Sequence, residues 1–337
     1  MNLDSAYRFS GIPSLLINVQ RAFFLVAFLL PCLAKSQGMT ADCYRQKPPG
    51  DSPVIFGRNV ISDGLQNRDM AISPDGTEMF YTIQHRYGVV SVIMAARINQ
   101  GEWPEPVVPE FSGQFNDLEP AFSPDGTRLY FASNRPVQNG DSSNDYDIWY
   151  VTKERGQWTK PRNPGFPVNT EKNEFFPSLA KNGNLYFTRQ MPGQGEDIVV
   201  CRFLDGKYLK AESLPGTICT EGDEFNAYVD PDERFIIFSG FRRPDGFGEA
   251  DLYISRRGDT GAWEESENLG RRINSDGMDY CPFVSPDRKY LFYTSRRTAF
   301  SLPLAQGTSV SELRKVLQDS GNGFDDIYWV ALPVILR

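Results

Sequence analysis

Short runs of alternating apolar and polar residues, each stopped by Gly, Pro, Asn or Asp, recur along the chain from about residue 54 onward. That pattern predicts half-buried strands, not helices. The clearest runs, Met79 to Thr82 and Leu129 to Ser133, follow near-identical turns, Ala71-Ile72-Ser73-Pro74-Asp75-Gly76-Thr77 and Ala121-Phe122-Ser123-Pro124-Asp125-Gly126-Thr127. Proline sets φ at the first central position, Asp bonds the backbone ahead of it, and Gly accepts the geometry that closes a hairpin. Weaker copies are Ser178-Leu179-Ala180-Lys181-Asn182-Gly183, Val229-Asp230-Pro231-Asp232-Glu233 and Val284-Ser285-Pro286-Asp287-Arg288. With Ser73, Ser123, Ala180, Asp230 and Ser285 equivalent, the spacings are 50, 57, 50 and 55 residues. A period near fifty suits one four-stranded propeller blade.

A third strand follows in Asp147-Ile148-Trp149-Tyr150-Val151, Asp197-Ile198-Val199-Val200, Asp251-Leu252-Tyr253-Ile254 and Asp326-Ile327-Tyr328-Trp329-Val330, with Ser91 to Met94 in the first repeat. Trp103-Pro104, Trp158 to Pro161, Tyr208 and Trp263 mark fourth strands, and Pro164 to Asn169 and Asn268 to Asn274 read as links to the next blade. The last repeat ends on its third strand, at Val330 to Leu336, whereas Val54 to Ser62 reads as a fourth strand and link with no blade before it. The expectation is an all-β, five-bladed β-propeller, residues 53–337, closed by an N-terminal strand that completes the C-terminal blade. Closure of that kind removes exposed sheet edges.

The Ser-Pro-Asp-Gly turn, the Leu129-Tyr130-Phe131 strand, the Asp-Ile-Trp/Tyr strand and the Trp-x-x-Pro strand resemble the WD40-like repeat of the TolB family. The resemblance spans roughly residues 53–337 and implies a binding role in the cell envelope or outside the cell. Members include the periplasmic propeller of the Tol-Pal system and propellers fused to peptidoglycan-binding OmpA-like domains; the present chain has no room for such a domain.

Aromatic content of 13% with 29 Gly and 24 Pro agrees with many short strands and tight turns. Arg21, the apolar run Ala22 to Leu33 and the small residues of Ala34-Lys35-Ser36 have the form of a secretory signal, residues 1–36, too short to span a bilayer. Residues 37–52 then form an extension, and the protein is expected to be periplasmic or secreted, with no transmembrane segment once processed. Cys32 lies where a lipoprotein cysteine sits, although Pro31 suits such a site poorly. Loss of Arg8, Arg21 and Lys35 with Asp4 takes the formal charge from -8 to about -10. So acidic a chain argues against nucleic acid as a partner. Cys43, Cys201, Cys219 and Cys281 permit two disulfides in an oxidising compartment, or are buried thiols.

Going down and up each blade, the Ser-Pro-Asp-Gly turns fall on one face (the turn face) and the links on the other (the link face), where binding loops should gather. Acids recur there near the start of each first strand: Asp69, Asp117 and Glu119, Glu174, Glu224, Asp279. Basic residues recur after the second: Arg135, Arg189, Arg242 and Arg296, with His85 in the first blade. Recurrence in step with the repeat favours structural pairing, with the third-strand Asp as the arginine's partner, over a catalytic set. The same side chains are candidates for contacting a ligand.

Two inserts depart from the repeat. Thr298 to Phe324 holds a predicted short helix, with Ser309 and Glu312 as a capping box, Val310, Leu313 and Leu317 on one face packed on the rim, and Gly321 to stop it. Pro136 to Tyr146 leads into oxygen-bearing Asp141, Ser143, Asp145 and Asp147, short of an EF-hand's Gly and distal Glu. A solvated loop without metal is the expectation there. One histidine and no Gly-x-Ser-x-Gly leave little for catalysis, and no cofactor is implied. The reading is an exported, non-catalytic scaffold for a protein or glycan of the cell envelope. The alternative is a five-bladed glycosidase with Glu119, Glu174, Glu224 or Asp279 as acid and base.

Overall fold

The computed structural model describes residues 46–337 apart from 86–87, 100–101, 139–143, 192, 194, 301–304 and 335–337. The chain opens with β1 (Val54–Ile55). Blade 1 follows as β2 (Gln66–Ile72), β3 (Glu78–Gln84) and β4 (Ser91–Arg97). Blade 2 is β5 (Asp117–Phe122), β6 (Arg128–Ser133), β7 (Asp147–Glu154) and β8 (Gln157–Trp158). Blade 3 is β9 (Glu174–Leu179), β10 (Leu185–Met191) and β11 (Gly195–Cys201), then the hairpin β12 (Phe203–Leu204) and β13 (Lys207–Tyr208), and its outer strand β14 (Glu212–Ser213). Blade 4 is β15 (Asp223–Val229), β16 (Phe235–Phe241), β17 (Ala250–Arg256) and β18 (Glu267–Asn268). Blade 5 is β19 (Asp279–Val284), β20 (Tyr290–Ser295) and β21 (Asp326–Ala331), with α1 (Val310–Gln318) between the last two.

Five antiparallel blade sheets form beside the two-stranded β12-β13 hairpin, and the sheet of blade 5 has the order β1-β21-β20-β19. Val54 pairs with Trp329 and Ile55 with Tyr328, so the N-terminal segment is the outer strand of the last blade. Phe56 locks it in place: it is fully buried, edge-on to Phe292 at 5.1 Å and to Trp329 at 5.3 Å, and its N–H donates to the Ile327 carbonyl at 2.8 Å. The core lies between neighbouring blades, where Ile237, Leu252 and Ile254 of blade 4 pack on Leu291, Tyr293 and Val330 of blade 5. Second strands are therefore buried on both faces, and Phe235-Ile236-Ile237-Phe238 runs without a polar break.

The repeated turns close as their residues dictate. Ser73 donates to Asp75 at 2.6 Å, Asp75 accepts the Thr77 N–H at 3.0 Å, and Gly76 takes φ 72°. The weaker copies place Glu233 and Arg288 at φ 53° and 57° instead, a conformation that costs an L-residue about 1–2 kcal/mol.

Fourth strands agree with expectation in blade 2, where Trp158 lies in β8 and pairs with Lys153 across a tight hairpin, but differ in blade 3, where Tyr208 pairs with Phe203 in a separate two-stranded hairpin. The aromatic residue marks that hairpin, and the outermost pairing comes later, at Glu212–Ser213 or Glu267–Asn268, or in blade 1 as a single bridge from Ala95 to Val107. Strand β21 stops at Ala331, short of the expected Leu336.

The α1 capping box forms, with Ser309 and Glu312 each closing on the other's backbone N–H. Its apolar face is not buried on the rim: Val310 and Leu317 are 65% and 48% exposed, and Leu313 is half-buried. The insert is held through its far end, where Asn322 donates to the Gly64 carbonyl and Gly64 lies so close that a Cβ would meet the Gln318 carbonyl oxygen at 2.0 Å. Cys201, Cys219 and Cys281 are buried free thiols and not disulfide partners, which corrects the two-bridge possibility for them; Cys43 lies outside the described residues.

Candidate functional site

On the link face the first-strand acids of blades 2 to 5, Asp117, Glu174, Glu224 and Asp279, are held by neighbouring loop groups. Glu174 accepts from the Thr170 hydroxyl at 2.6 Å and from Arg189 at 2.9 Å, and Arg189 also donates to the Val168 carbonyl of the link. Asp279 accepts from the Ser275 hydroxyl at 2.7 Å and from Arg297 at 2.9 Å, while Arg297 reaches the Ile273 carbonyl. Asp117 takes Ser112 and Arg135, with Arg135 on the Phe111 carbonyl. Glu224 takes Thr220, with Arg243 at 3.8 Å. In blades 2, 3 and 5 arginine thus ties the first strand to the link that feeds it. Burial pushes the Glu174 carboxyl up to about 7, against the pull of Thr170 and Arg189.

This corrects three sequence expectations. The partner of each arginine is the first-strand acid; the third-strand carboxylates instead take other donors, such as Asn163 on Asp147, the Phe247 N–H on Asp251 and the Gly321 N–H on Asp326. The clamping residues of blades 4 and 5 are Arg243 and Arg297, one position beyond Arg242 and Arg296. Arg242 is exposed and lies over the Phe241 ring, while Arg296 pairs with Asp325 at 2.7 Å and lies over Tyr280. His85, at the corresponding place in blade 1, is exposed on the β3–β4 loop. A hydroxyl four residues before the acid, as in Thr170/Glu174, Thr220/Glu224 and Ser275/Asp279, was the available signal for the clamp.

Glu119 belongs to a different set. Each first strand bulges once, at Asp69, Glu119, Phe176, Asn226 or Cys281, all at positive φ, and the bulges converge on the central channel. There Arg68 donates to Asp69 and to Glu119, both at 2.8 Å, and reaches the Cys281 sulfur at 3.5 Å. Glu119 also accepts from the Asn226 amide at 3.2 Å and from the Phe176 N–H at 2.7 Å. Burial pushes the Glu119 carboxyl up to about 8 while Arg68 pulls it down. The result is a polar knot across the channel, with both Glu119 oxygens engaged. No repeat signal could reveal it, because the residue type differs in every blade.

On the turn-face side of the knot lies a cavity of about 390 Å³. Its walls include Pro120, Phe122, Pro177, Tyr228, Pro282 and Phe283, and Lys181 and Arg288 stand at its mouth. A second hollow, bounded by Phe203 and Tyr208, shares Ser123, Pro124, Leu179 and Lys181 with it. The sequence pointed to the opposite face for concavity, and these lining residues were not anticipated.

Among the described residues, Asp197, Cys219 and Glu224 bring potential metal donors within 4.8 Å of one another. Burial pushes the Cys219 thiol up to about 12, and both Glu224 oxygens accept from Thr220. Of the oxygen-rich insert, Asp141 and Ser143 lie outside the described residues.

No family model and no curated protein sequence matches this chain. Among solved structures it is similar to a putative TolB from Agrobacterium tumefaciens, at 16% identity and TM-score 0.47 over 80% of this chain and 91% of that one. It is likewise similar to a GH62 hydrolase in complex with xylotriose, at 10% identity and TM-score 0.47 over 83% and 98%. An endo-arabinase from Bacteroides thetaiotaomicron matches at 15% identity and TM-score 0.46 over 78% and 99%. The chain is thus similar in structure to TolB propellers and to other β-propellers, and at such identities the likeness is one of fold alone.

Proposed function

We propose that this chain is an exported, non-catalytic propeller scaffold that binds a partner protein through its link face. One observation carries the reading: Asp117, Glu174 and Asp279 are each held between an arginine and a loop hydroxyl, Glu224 by Thr220 and Glu119 by Arg68, Asn226 and the Phe176 N–H, so none of these carboxylates stands free as an acid or base. Beside exposed charged residues such as Arg242, the link face exposes apolar side chains. Val89, Val90, Phe115 and Val137 are 68%, 51%, 39% and 55% exposed, on three loops joined to one another by Ser91 N–H on the Asn116 side chain and Asn134 N–H on the Asn116 carbonyl. Exposed apolar clusters of this kind mark protein contacts. Export rests on the signal-like segment ending at Ser36.

Two measurements test it. Reducing-sugar release from a glycan panel is expected to be nil; release that is abolished by Glu119→Gln or Glu174→Gln overturns the reading in favour of glycoside hydrolysis. A photo-cross-linker at Val90 or Val137 should capture a protein from envelope extract and lose it on Val89→Asp, whereas one at Lys207, on the turn face, should not.

A further inference from the structure

We propose that the turn-face cavity is a ligand site for an amphipathic carboxylate, its apolar body in the pit and its headgroup at Lys181 and Arg288. The volume, about 390 Å³, lies in the range of small-ligand sites. Pro120, Pro177 and Pro282 each follow the bulge residue of their strand, and with Phe122, Tyr228 and Phe283 they make rigid walls that need little ordering on binding.

The lining polar groups define what fits. Ser123 and Ser285 donate to Asp125 and Asp287, the Ser178 oxygen accepts the Val229 N–H, and Glu119 at the floor is fully engaged. Among the described residues only the Tyr228 hydroxyl in that wall makes no hydrogen bond. A sugar would bury several hydroxyls there without partners, at a cost of about 1–3 kcal/mol each. An apolar body with a polar end brings no hydroxyl of its own into the pit.

Charge decides which end. At the mouth Lys181 pairs with Asp232 at 2.8 Å, and Arg288 with Asp230 at 2.9 Å and with Asp232 at 3.1 Å. Arg234 also holds Asp230, at 2.9 Å. Three cations therefore share two carboxylates, and the side chains of Lys181 and Arg288 are 60% and 37% exposed. Within that network the cations outnumber the carboxylates, so the exposed Lys181 and Arg288 can turn to an anionic headgroup, although the turn carboxylates Asp125 and Asp287 share the rim.

The site lies opposite the link face, so its fate is separate from that of the partner-protein reading. Titration of the full chain with 4-phenylbutyrate and with its neutral amide, followed by calorimetry, tests it. Saturable one-to-one binding of the acid, at least tenfold tighter than the amide, is expected. Lys181→Glu should erase that preference without weakening the amide, and Ala121→Trp, which fills the pit, should abolish both. Val137→Asp should change neither. The Met70 methyl resonance, from the cavity wall, should shift on saturation, and this readout needs no variant. Absence of saturable binding, equal affinity for acid and amide, or an unmoved Met70 signal overturns the proposal. So does undiminished binding by a folded Ala121→Trp.

Discussion

The Glu119 carboxylate accepts the Phe176 N–H at 2.7 Å, in the place where the preceding blade has Ala132. At three other bulges a threonine one blade back holds the amide: Thr82 for Glu119, Thr188 for Asn226 and Thr294 for Asp69. Glu119 therefore repairs a missing hydroxyl and neutralises Arg68 at the same time.

Glu119→Ala should destabilise the protein by ~2–4 kcal/mol, because it takes one of two carboxylates from the buried Arg68 guanidinium, which keeps Asp69, and leaves the buried Phe176 N–H without its acceptor. Glu119→Gln should cost less, and adding Ala132→Thr to it should recover part of the loss by returning the hydroxyl. Urea unfolding midpoints measure all three; equal losses for Ala and Gln would contradict the account.

Arg297→Ala should be severe, ~3–5 kcal/mol, since Asp279 is left fully buried without its cation. Arg242→Ala, on an exposed side chain, should fall within ~0.5 kcal/mol of wild type. Thermal unfolding of the two variants separates the clamp from its sequence neighbour.

Asp326 makes stability depend on pH. Burial raises its carboxyl from 3.8 to about 6, only partly offset by the Gly321 N–H, and one oxygen has no partner. A folded-state value above the unfolded one means the native state holds the proton more tightly. The carboxyl's contribution is thus fully present below about pH 4 and is lost as pH rises through 6. Asp326→Asn should be more stable than wild type by ~1–3 kcal/mol at pH 8 and equal to it at pH 3.5. A constant difference across that range would rule out the carboxyl as the cause.

Burial raises the thiols of Cys201 to about 11 and of Cys219 to about 12, and lifts that of Cys281 as well. Iodoacetamide should leave these three unlabelled in the native protein and label all of them in urea without reductant. Mass spectrometry of tryptic peptides reads the outcome, and a urea-resistant pair would reveal a bridge.

Much of the architecture was written in local chemistry. The Ser73 and Ser123 turns, the period near fifty and the orphan segment at Val54 lead to five closed blades, because a turn or an alternating strand is specified by residues close together in the chain. The Ser309–Glu312 cap is equally local, and it forms. What failed concerned partners across the fold. Arg242 and Arg243 are indistinguishable in sequence, and only the close approach at Gly240, where a Cβ would meet the Arg243 Cδ at 2.4 Å, shows which of them folds back over the strand.

The amino-acid sequence by itself determined the repeat, the blade number and the way the ring closes, since each follows from short-range turn geometry and alternation. The tertiary structure alone decided that Arg68, Glu119, Asn226 and Cys281, unlike in type and far apart in the chain, meet across the channel, and that the hollow lies on the turn face. Contacts at an axis depend on how five sheets converge, and no window along the chain contains that convergence.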